Sequence, residues 1–218
     1  MTGGSNTHAV VFDMDGVLIN SHPAHLAAWR GFLRSLGKDV SDNELAFILE
    51  GRTRDEILRH FFGKLAEREL HEYGKRKDEI FRRMEHQIEA IPGVIQFLRE
   101  LSRRDIAIAV ATSASEIRTV STIERMGIAE HFAAVITAGD VSNGKPDPMV
   151  YRLACERLKV APERALAFDD APAGIQSAKS AGMRCIGVSN NGFTGQLLAK
   201  GAEKVILDFV GLRVEQLW

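Results

Sequence analysis

The sequence predicts an α/β protein: a doubly wound parallel β-sheet, covered by helices on both faces, that carries an inserted all-helical domain. Short β-branched and aromatic runs alternate with helical stretches along most of the chain. The polar residues that could carry chemistry stand directly after the predicted strands, and one segment between the first two strands is helical only. Together these patterns indicate an open sheet interrupted by a helical module.

Six short apolar runs are the predicted strands. The first covers residues 9–12 and ends abruptly at Asp13, and the others cover residues 106–111, 133–137, 164–168, 185–188 and, more weakly, 204–207. Helical stretches separate them at residues 94–103, 115–126, 148–158 and 173–181. Strands and helices that alternate at this spacing are typical of βαβ units, and therefore of a parallel sheet.

The segment from about residue 23 to residue 89 contains no β-branched run. Its apolar residues recur at helical spacing, as Leu26, Trp29 and Leu33 do, and residues 67–88 read as one long, densely charged amphipathic helix. Such an insertion is too long for an ordinary crossover. We therefore expect an α/β core formed by residues 1–19 and 93–218, and a helical domain formed by residues 20–92.

Composition argues against several classes of protein. The 218 residues are 45% hydrophobic and 26% charged, and 28 Lys plus Arg face 29 Asp plus Glu. This balance lacks the basic excess of nucleic-acid and membrane-surface binders. No apolar run approaches the ~18 residues of a membrane span, and residues 1–8 do not resemble a secretion signal. Cys155 and Cys185 lie in apolar stretches and are predicted to be buried free thiols. We expect a cytoplasmic monomer or weak homodimer, with no nucleic-acid and no membrane partner.

Two carboxylates, Asp13 and Asp15, follow the first strand with one apolar residue between them and Gly16 after them. Both can face one site if the chain turns there. Adjacent carboxylates are unfavourable unless a cation neutralises them or one is protonated, and either solution suits catalysis. Alone, the pattern would favour a solvated acidic turn.

Three further polar motifs follow the second, third and fourth strands. Residues 112–115 place hydroxyls and backbone N–H groups before a helix, which suits phosphate binding and also ordinary helix capping. Lys145 stands on a Gly-Lys-Pro turn, as a cation held for an anion or as a plain surface lysine. Asp169 and Asp170 form a second acidic pair, which lies beside Asp13 if the first and fourth strands are neighbours. Such an oxygen-rich set suits Mg²⁺ rather than Zn²⁺.

With these four motifs in this order, each after a strand, the chain resembles the haloacid dehalogenase-like superfamily, in the subgroup whose helical cap follows the D-x-D loop. The resemblance spans essentially residues 8–210 and implies a Rossmann-like core with strand order 3-2-1-4-5. It implies that Asp13 is the nucleophile and a Mg²⁺ ligand, and that Asp15 is the general acid/base with its carbonyl on the metal. Because the dehalogenase branch lacks the second aspartate, the resemblance implies phosphoryl transfer rather than dehalogenation.

The resemblance also assigns the other core positions. Thr112 and Lys145 bind the transferring phosphoryl group, with Ser113 and Ala114 beside them as substrate-binding residues. Asp170 completes the Mg²⁺ shell. Asp169 is included among the ligands, although it stands where a Glu is commoner in this subgroup, so that its shorter arm could act through water.

Within the subgroup the cap is most similar to those of β-phosphoglucomutase and related sugar-phosphate phosphatases. The stretch from His25 to Trp29 matches a His-x-x-Ala-Trp motif, and the loop from Gly51 to Arg54 matches a substrate-specificity loop in which Arg54 meets a second phosphate. Lys77 ends a Lys-Arg-Lys run whose last lysine reaches a mutase site. Two plainer interpretations stand beside these: Trp29 as a core residue, and the basic run as a solvated helix face.

Two functions follow from the resemblance. The first is a Mg²⁺-dependent phosphatase that acts on a small phosphorylated metabolite, such as a sugar phosphate. The alternative is a β-phosphoglucomutase-like isomerase that passes the phosphoryl group to a sugar hydroxyl, in which His25 and Lys77 position the acid/base.

Overall fold

A computed structural model of the chain describes residues 8–50, 52–189 and 192–217. The chain separates into two compact units: one formed by the residues up to Leu18 and from Ala90 onward, the other by Ile19–Glu89. The chain passes from one unit to the other after residue 18 and back after residue 89. The bounds predicted from the sequence were after residue 19 and after residue 92.

The first unit is built on a single parallel sheet. Its strands are β1 (Ala9–Phe12), β2 (Ala107–Ala111), β3 (Ala134–Ile136), β4 (Ala165–Asp169), β5 (Arg184–Val188) and β6 (Val205–Ile206). Their order in the sheet is β3-β2-β1-β4-β5-β6, and every neighbouring pair is parallel. This confirms the predicted order of the first five strands, and the weak sixth run extends the sheet beyond β5.

The two faces of the sheet bury different side chains. Because successive residues of a strand point to opposite faces, Val11 joins the cluster that contains Ala109 and Ala167. Phe12 instead stacks on Phe168 with ring centroids 5.2 Å apart, within an aromatic cluster that also contains Phe97 and Phe209. Burial on both faces explains why these strands are continuously apolar.

Helices of the first unit connect these strands: α5 (Val94–Arg103), α6 (Glu116–Arg125), α7 (Met149–Leu158), α8 (Pro172–Ser180) and α9 (Thr194–Ala199). The four helices predicted in this part of the chain are confirmed to within a residue or so at their ends. Cys155 and Cys185 are both free and buried, as predicted.

Four α-helices are described in the second unit: α1 (His22–Ser35), α2 (Asp42–Ala46), α3 (Arg54–Phe62) and α4 (Glu67–Arg82). Capping boxes begin α2 and α3, where Ser41 pairs with Glu44 and Thr53 pairs with Glu56. Aromatic and leucine side chains form its core, among them Trp29, Phe32, Leu33, Leu58 and Leu70.

The prediction of one helix over residues 67–88 was wrong at its end, because α4 stops at Arg82. A short 3₁₀ turn follows at Glu85–Gln87, and Ile88 is buried in an extended conformation with φ −78° and ψ 122°. The apolar spacing continued past the last helical residue because Ile88 is buried without being helical. In the part of the chain that the structure describes, no helix combines the length and the apolarity that crossing a bilayer requires.

Candidate active site

The acidic residues of the first unit meet at the carboxyl edge of the sheet. Asp13 directly follows β1, Asp169 is the last residue of β4, and Phe12 pairs in register with Phe168. The Asp13 N–H donates to the Phe168 carbonyl at 2.9 Å, so the pairing continues one residue beyond β1. The predicted adjacency of the first and fourth strands is confirmed, and it places Asp13 opposite Asp169.

The turn after β1 presents both carboxylates of the D-x-D motif. Met14 is fully buried, and its carbonyl accepts a hydrogen bond from the Leu18 N–H at 2.9 Å. Gly16 has φ +75°, a left-handed conformation that costs a residue with a Cβ atom free energy. Gly16 therefore lets the chain turn back at once, with Asp13 buried and the Asp15 side chain 23% exposed.

Lys145 connects the two acidic strand ends. It lies on the loop before α7, and its side chain is only 4% exposed. Its ammonium donates to Asp13 Oδ1 at 2.7 Å and to Asp169 Oδ2 at 2.8 Å. Of the two interpretations of this lysine, the surface one is therefore wrong, and Lys145 is a cation held at the site.

Burial sets the protonation of this cluster. Burial raises the pKa of Asp13 to about 8; Lys145 acts against this rise, and the neighbouring charges of Asp169, Asp170 and Asp15 add to it. Burial alone would lower the pKa of Lys145. The charges and hydrogen bonds of Asp13 and Asp169 together outweigh this effect, so the pKa of Lys145 is raised and the lysine stays charged. Three buried carboxyl groups, those of Asp13, Asp169 and Asp170, therefore share this sheet edge with one buried ammonium.

The donor set fits a hard divalent cation such as Mg²⁺. Asp13, Asp169 and Asp170 are buried carboxylates at one sheet edge, and two of them share a single lysine. Carboxylate and carbonyl oxygens are the ligands that Mg²⁺ prefers, and a cation would favour the ionised form of carboxyl groups that lie this close together. Among the residues described, no three His, Cys, Asp or Glu side chains already stand in a metal-binding arrangement. The Lys145 ammonium instead lies between Asp13 and Asp169.

Asp169, one of the predicted metal ligands, is held by protein donors. Its Oδ2 accepts hydrogen bonds from Lys145 and from the Tyr151 hydroxyl, and its Oδ1 accepts one from the Ala171 N–H at 3.0 Å. In this arrangement its carboxylate binds protein donors on both oxygens. Asp13, Asp170 and the backbone carbonyl of Asp15 could hold the cation, and which of the predicted residues ligate it stays a prediction.

The segment predicted to bind phosphate lies after β2, the other neighbour of β1. Thr112 is buried; its N–H donates to the Ile136 carbonyl at 3.0 Å, and its hydroxyl oxygen accepts the Ala114 N–H at 3.1 Å. Ser113 is exposed, and Ser115 is the N-cap of α6. The structure therefore brings Thr112, Ser113 and Ala114 to the same sheet edge as Asp13, and their contact with a phosphoryl group stays a prediction.

Sequence reasoning missed a partner of Asp15. Arg118 on α6 donates from Nη1 to Asp15 Oδ1 at 2.9 Å and from Nη2 to Asp15 Oδ2, and its side chain is 19% exposed. This two-point geometry fixes the carboxylate plane. The one available signal was an arginine in the first turn of the helix that follows the predicted phosphate segment. Arginines are too common on helices for that position alone to identify it.

The helical unit brings three predicted residues together. Lys77 is 5% exposed, and its ammonium lies 3.3 Å from His25 Nδ1. The His25 ring stacks on Phe81 at 4.2 Å between centroids, and the Lys77 ammonium lies 5.5 Å from the Trp29 ring centroid. Trp29 is 2% exposed within the unit's core, as the plainer interpretation held. For Lys77, in contrast, the interpretation of a solvated face is wrong.

Arg54, the predicted specificity residue, begins α3 and is 43% exposed. Its Nη1 donates to Asp78 Oδ2 at 2.9 Å, so this guanidinium already binds a carboxylate. It lies over Gly74, where a Cβ atom would approach Arg54 Nε to 2.5 Å. Gly51, predicted in the same loop, lies outside the described residues.

Comparisons with known proteins agree with this geometry. The family of haloacid dehalogenase-like hydrolases matches residues 10–188. A phosphorylated carbohydrates phosphatase of Thermotoga maritima is 32% identical over 91% of this chain and 93% of its own length. A β-phosphoglucomutase of Bacillus subtilis is 30% identical over 96% of this chain and 93% of its own. The crystal structure of a β-phosphoglucomutase from Clostridium difficile superposes with a TM-score of 0.85 at 25% identity, covering 96% of this chain and 95% of the other.

Proposed function

This chain belongs to the haloacid dehalogenase-like hydrolases, and on that basis we propose that it is a Mg²⁺-dependent phosphatase that forms a phosphoaspartate on Asp13. Its substrate would be a small phosphorylated metabolite such as a sugar phosphate, since the Thermotoga maritima relative bears the name of a phosphorylated carbohydrates phosphatase. The observation that carries the proposal is the position of Asp13, buried directly after β1 and held by Lys145 at 2.7 Å.

Lys145 addresses the main electrostatic obstacle, which is the attack of an anionic carboxylate on an anionic phosphate. Its ammonium is buried and charged beside Asp13, so it can offset charge on the nucleophile and on the phosphoryl oxygens. When bound by Asp13, Asp170 and the Asp15 carbonyl, Mg²⁺ would supply further positive charge against the phosphate. Thr112, at the neighbouring strand end, would donate its hydroxyl hydrogen to a phosphoryl oxygen.

Asp15 would move the protons. In its protonated form it would donate to the leaving oxygen, and in its ionised form it would accept a proton from the water that hydrolyses the phosphoaspartate. In the substrate-free arrangement both Asp15 oxygens are held by Arg118. Proton transfer at Asp15 would therefore take place beside the Arg118 guanidinium, which orients the plane of the carboxyl group.

The alternative is a β-phosphoglucomutase-like isomerase, in which a sugar hydroxyl replaces water as the acceptor. The contact between Lys77 and His25, at 3.3 Å, is the observation in its favour, because a buried ammonium beside an imidazole suits proton positioning better than core packing. The phosphatase remains the leading proposal. Incubation with β-glucose 1-phosphate separates the two, since a phosphatase releases inorganic phosphate and a mutase forms glucose 6-phosphate.

The experiment that tests the nucleophile is Asp13→Asn. We expect phosphate release from p-nitrophenyl phosphate to disappear, because an amide cannot attack phosphorus, and acid-quenched wild-type protein to carry one phosphoryl group on the peptide that contains Asp13. Circular dichroism of the variant should match that of the wild type. Activity of the variant within about tenfold of wild type, only ~1.4 kcal/mol of barrier, would refute the assignment.

A further inference from the structure

Tyr151 is a buried tyrosine at the active site to which neither the sequence motifs nor the proposed mechanism assigns a role. It lies on α7, is 0% exposed, and directs its hydroxyl at the acidic cluster. The hydroxyl donates to Asp169 Oδ2, and its oxygen accepts a hydrogen bond from Lys145 Nζ at 3.4 Å. The Lys145 ammonium also lies 5.0 Å from the centre of the Tyr151 ring.

Asp169 is surrounded by hydrogen-bond donors and by Gly174, which has no side chain. Besides the hydrogen bond from the Tyr151 hydroxyl, its carboxylate accepts one from Lys145 Nζ at 2.8 Å and one from the Ala171 N–H at 3.0 Å. Asp169 is 1% exposed. Gly174 on α8 forms the remaining wall, where a Cβ atom would lie 2.0 Å from both carboxylate oxygens. The carboxylate thus occupies a niche that only glycine leaves open, with charge-assisted bonds on both oxygens.

Lys145 is in turn held by three groups. Its ammonium has three N–H donors, and its partners are Asp13, Asp169 and Tyr151. A lysine is a flexible point charge unless its partners fix it. Because Asp169 and Tyr151 bind each other as well as Lys145, they form a closed triangle that leaves the ammonium little freedom at Asp13.

We propose that Tyr151 is a positioning residue: it holds Asp169 as the anchor of Lys145, so that Asp169 orients the lysine at the nucleophile and does not ligate the cation directly. The inference rests on the proposed function for its chemistry. It differs from the expectation drawn from the sequence, which included Asp169 among the metal ligands. It also gives a physical reason for the tyrosine, since a phenylalanine would fill the same space without the hydroxyl.

The first test is Tyr151→Phe, with Tyr73→Phe as a matched control. The chain has two tyrosines, and Tyr73 packs against Phe32 and Phe62 in the helical unit. We expect Tyr151→Phe to lower kcat for p-nitrophenyl phosphate about 10- to 100-fold, the range for a lost hydrogen bond to a charged group. KM should change by less than about threefold, because the interaction that is weakened is that of Lys145 with the transition state, and its loss lowers kcat. Tyr73→Phe should keep wild-type kcat.

A double-mutant cycle then asks whether Tyr151 acts through Asp169. In an Asp169→Asn background, Tyr151→Phe should change kcat less than about threefold, since its partner is already altered. An equal loss in both backgrounds would overturn the proposal. A kcat of Tyr151→Phe within about threefold of wild type, or a loss explained by unfolding at the assay temperature, would also overturn it.

Calorimetric binding of Mg²⁺ to the substrate-free protein decides the place of Asp169 without any turnover. We expect Asp170→Asn to weaken Mg²⁺ binding at least about tenfold more than Asp169→Asn does, as loss of a direct ligand exceeds loss of an outer partner. If the two variants lose Mg²⁺ affinity to within about tenfold of each other, Asp169 is a ligand and the proposal is overturned. Absence of Mg²⁺-dependent phosphatase activity in the wild type would instead refute the proposed function. The two Mg²⁺ affinities would still decide whether Asp169 is a ligand, because calorimetry measures binding without turnover.

Discussion

Asp13→Asn should change how the stability of the metal-free protein depends on pH. Burial, partly offset by Lys145, raises the pKa of Asp13 from its usual 3.8 to about 8. A carboxyl group with a higher pKa in the folded than in the unfolded state binds a proton more tightly when folded. Its contribution to stability is therefore complete below pH 3.8 and is lost as the pH rises through about 8. The amide of the variant has no proton to lose, so this dependence should disappear.

The structure bounds the size of the effect. Each unit of pKa difference corresponds to about 1.4 kcal/mol, so a rise from 3.8 to about 8 sets a ceiling of several kcal/mol. Relaxation and water entry reduce such values in real proteins, and we expect about 1–3 kcal/mol to be lost between pH 5 and pH 8.5. For a chain of this length, 1 kcal/mol corresponds to about 2–4 °C in Tm.

Thermal melting in a chelator, at pH 5 and at pH 8.5, measures this effect. Over this interval the wild-type Tm should fall about 3–8 °C further than that of Asp13→Asn. Asp105→Asn is the matched control, since Asp105 is an exposed aspartate in the same unit, and it should behave as wild type. The raised pKa of Lys145 lies above this interval and does not contribute. Parallel pH profiles for Asp13→Asn and wild type would refute the reasoning.

Three further predictions concern the metal, the specificity loop and the helical core. Activity should require Mg²⁺ and fall at least about tenfold when Ca²⁺ replaces it in a phosphate-release assay, because Ca²⁺ takes more and longer bonds; equal rates would contradict the Mg²⁺ site. Arg54→Ala should lower kcat/KM about 10- to 100-fold for a substrate with a second anionic group and leave p-nitrophenyl phosphate nearly unchanged; equal losses on both would indicate a folding defect. Trp29→Ala should cost about 3–5 kcal/mol in urea unfolding, because Trp29 is 2% exposed; a substrate-contact role alone would leave unfolding unchanged.

The fold could be predicted from the sequence because two regularities are strong in this chain. Buried parallel strands are continuously apolar, and the chemistry of such a sheet lies after the carboxyl ends of its strands. These regularities, with the family resemblance, sufficed to predict that Asp13 and Asp169 meet. The end of α4 could not be predicted, because Ile88 continues the apolar spacing although it is buried in extended backbone.

The partners of the site residues were beyond sequence reasoning for a different reason. Arg118, Tyr151 and Gly174 stand on helices, where an arginine, an aromatic residue or a small residue is ordinary. Each acquires its role only through a distance across the fold: the Arg118 pair with Asp15, the Tyr151 hydroxyl on Asp169, and the 2.0 Å approach of a Cβ atom at Gly174. A motif records which residue follows a strand, and it does not record which helix faces that residue.

The acidic site and the aromatic core depend on the same strand register. Phe12 pairs with Phe168 between β1 and β4, and their rings stack at 5.2 Å, so the next residues along, Asp13 and Asp169, must also lie opposite each other. A slip of one residue would turn every side chain of β1 to the other face, so Phe12 would leave the aromatic cluster and Asp13 would no longer lie opposite Asp169. Packing of the core therefore holds together two carboxylates that repel each other. Lys145, bound to both, reduces the repulsion that this register imposes.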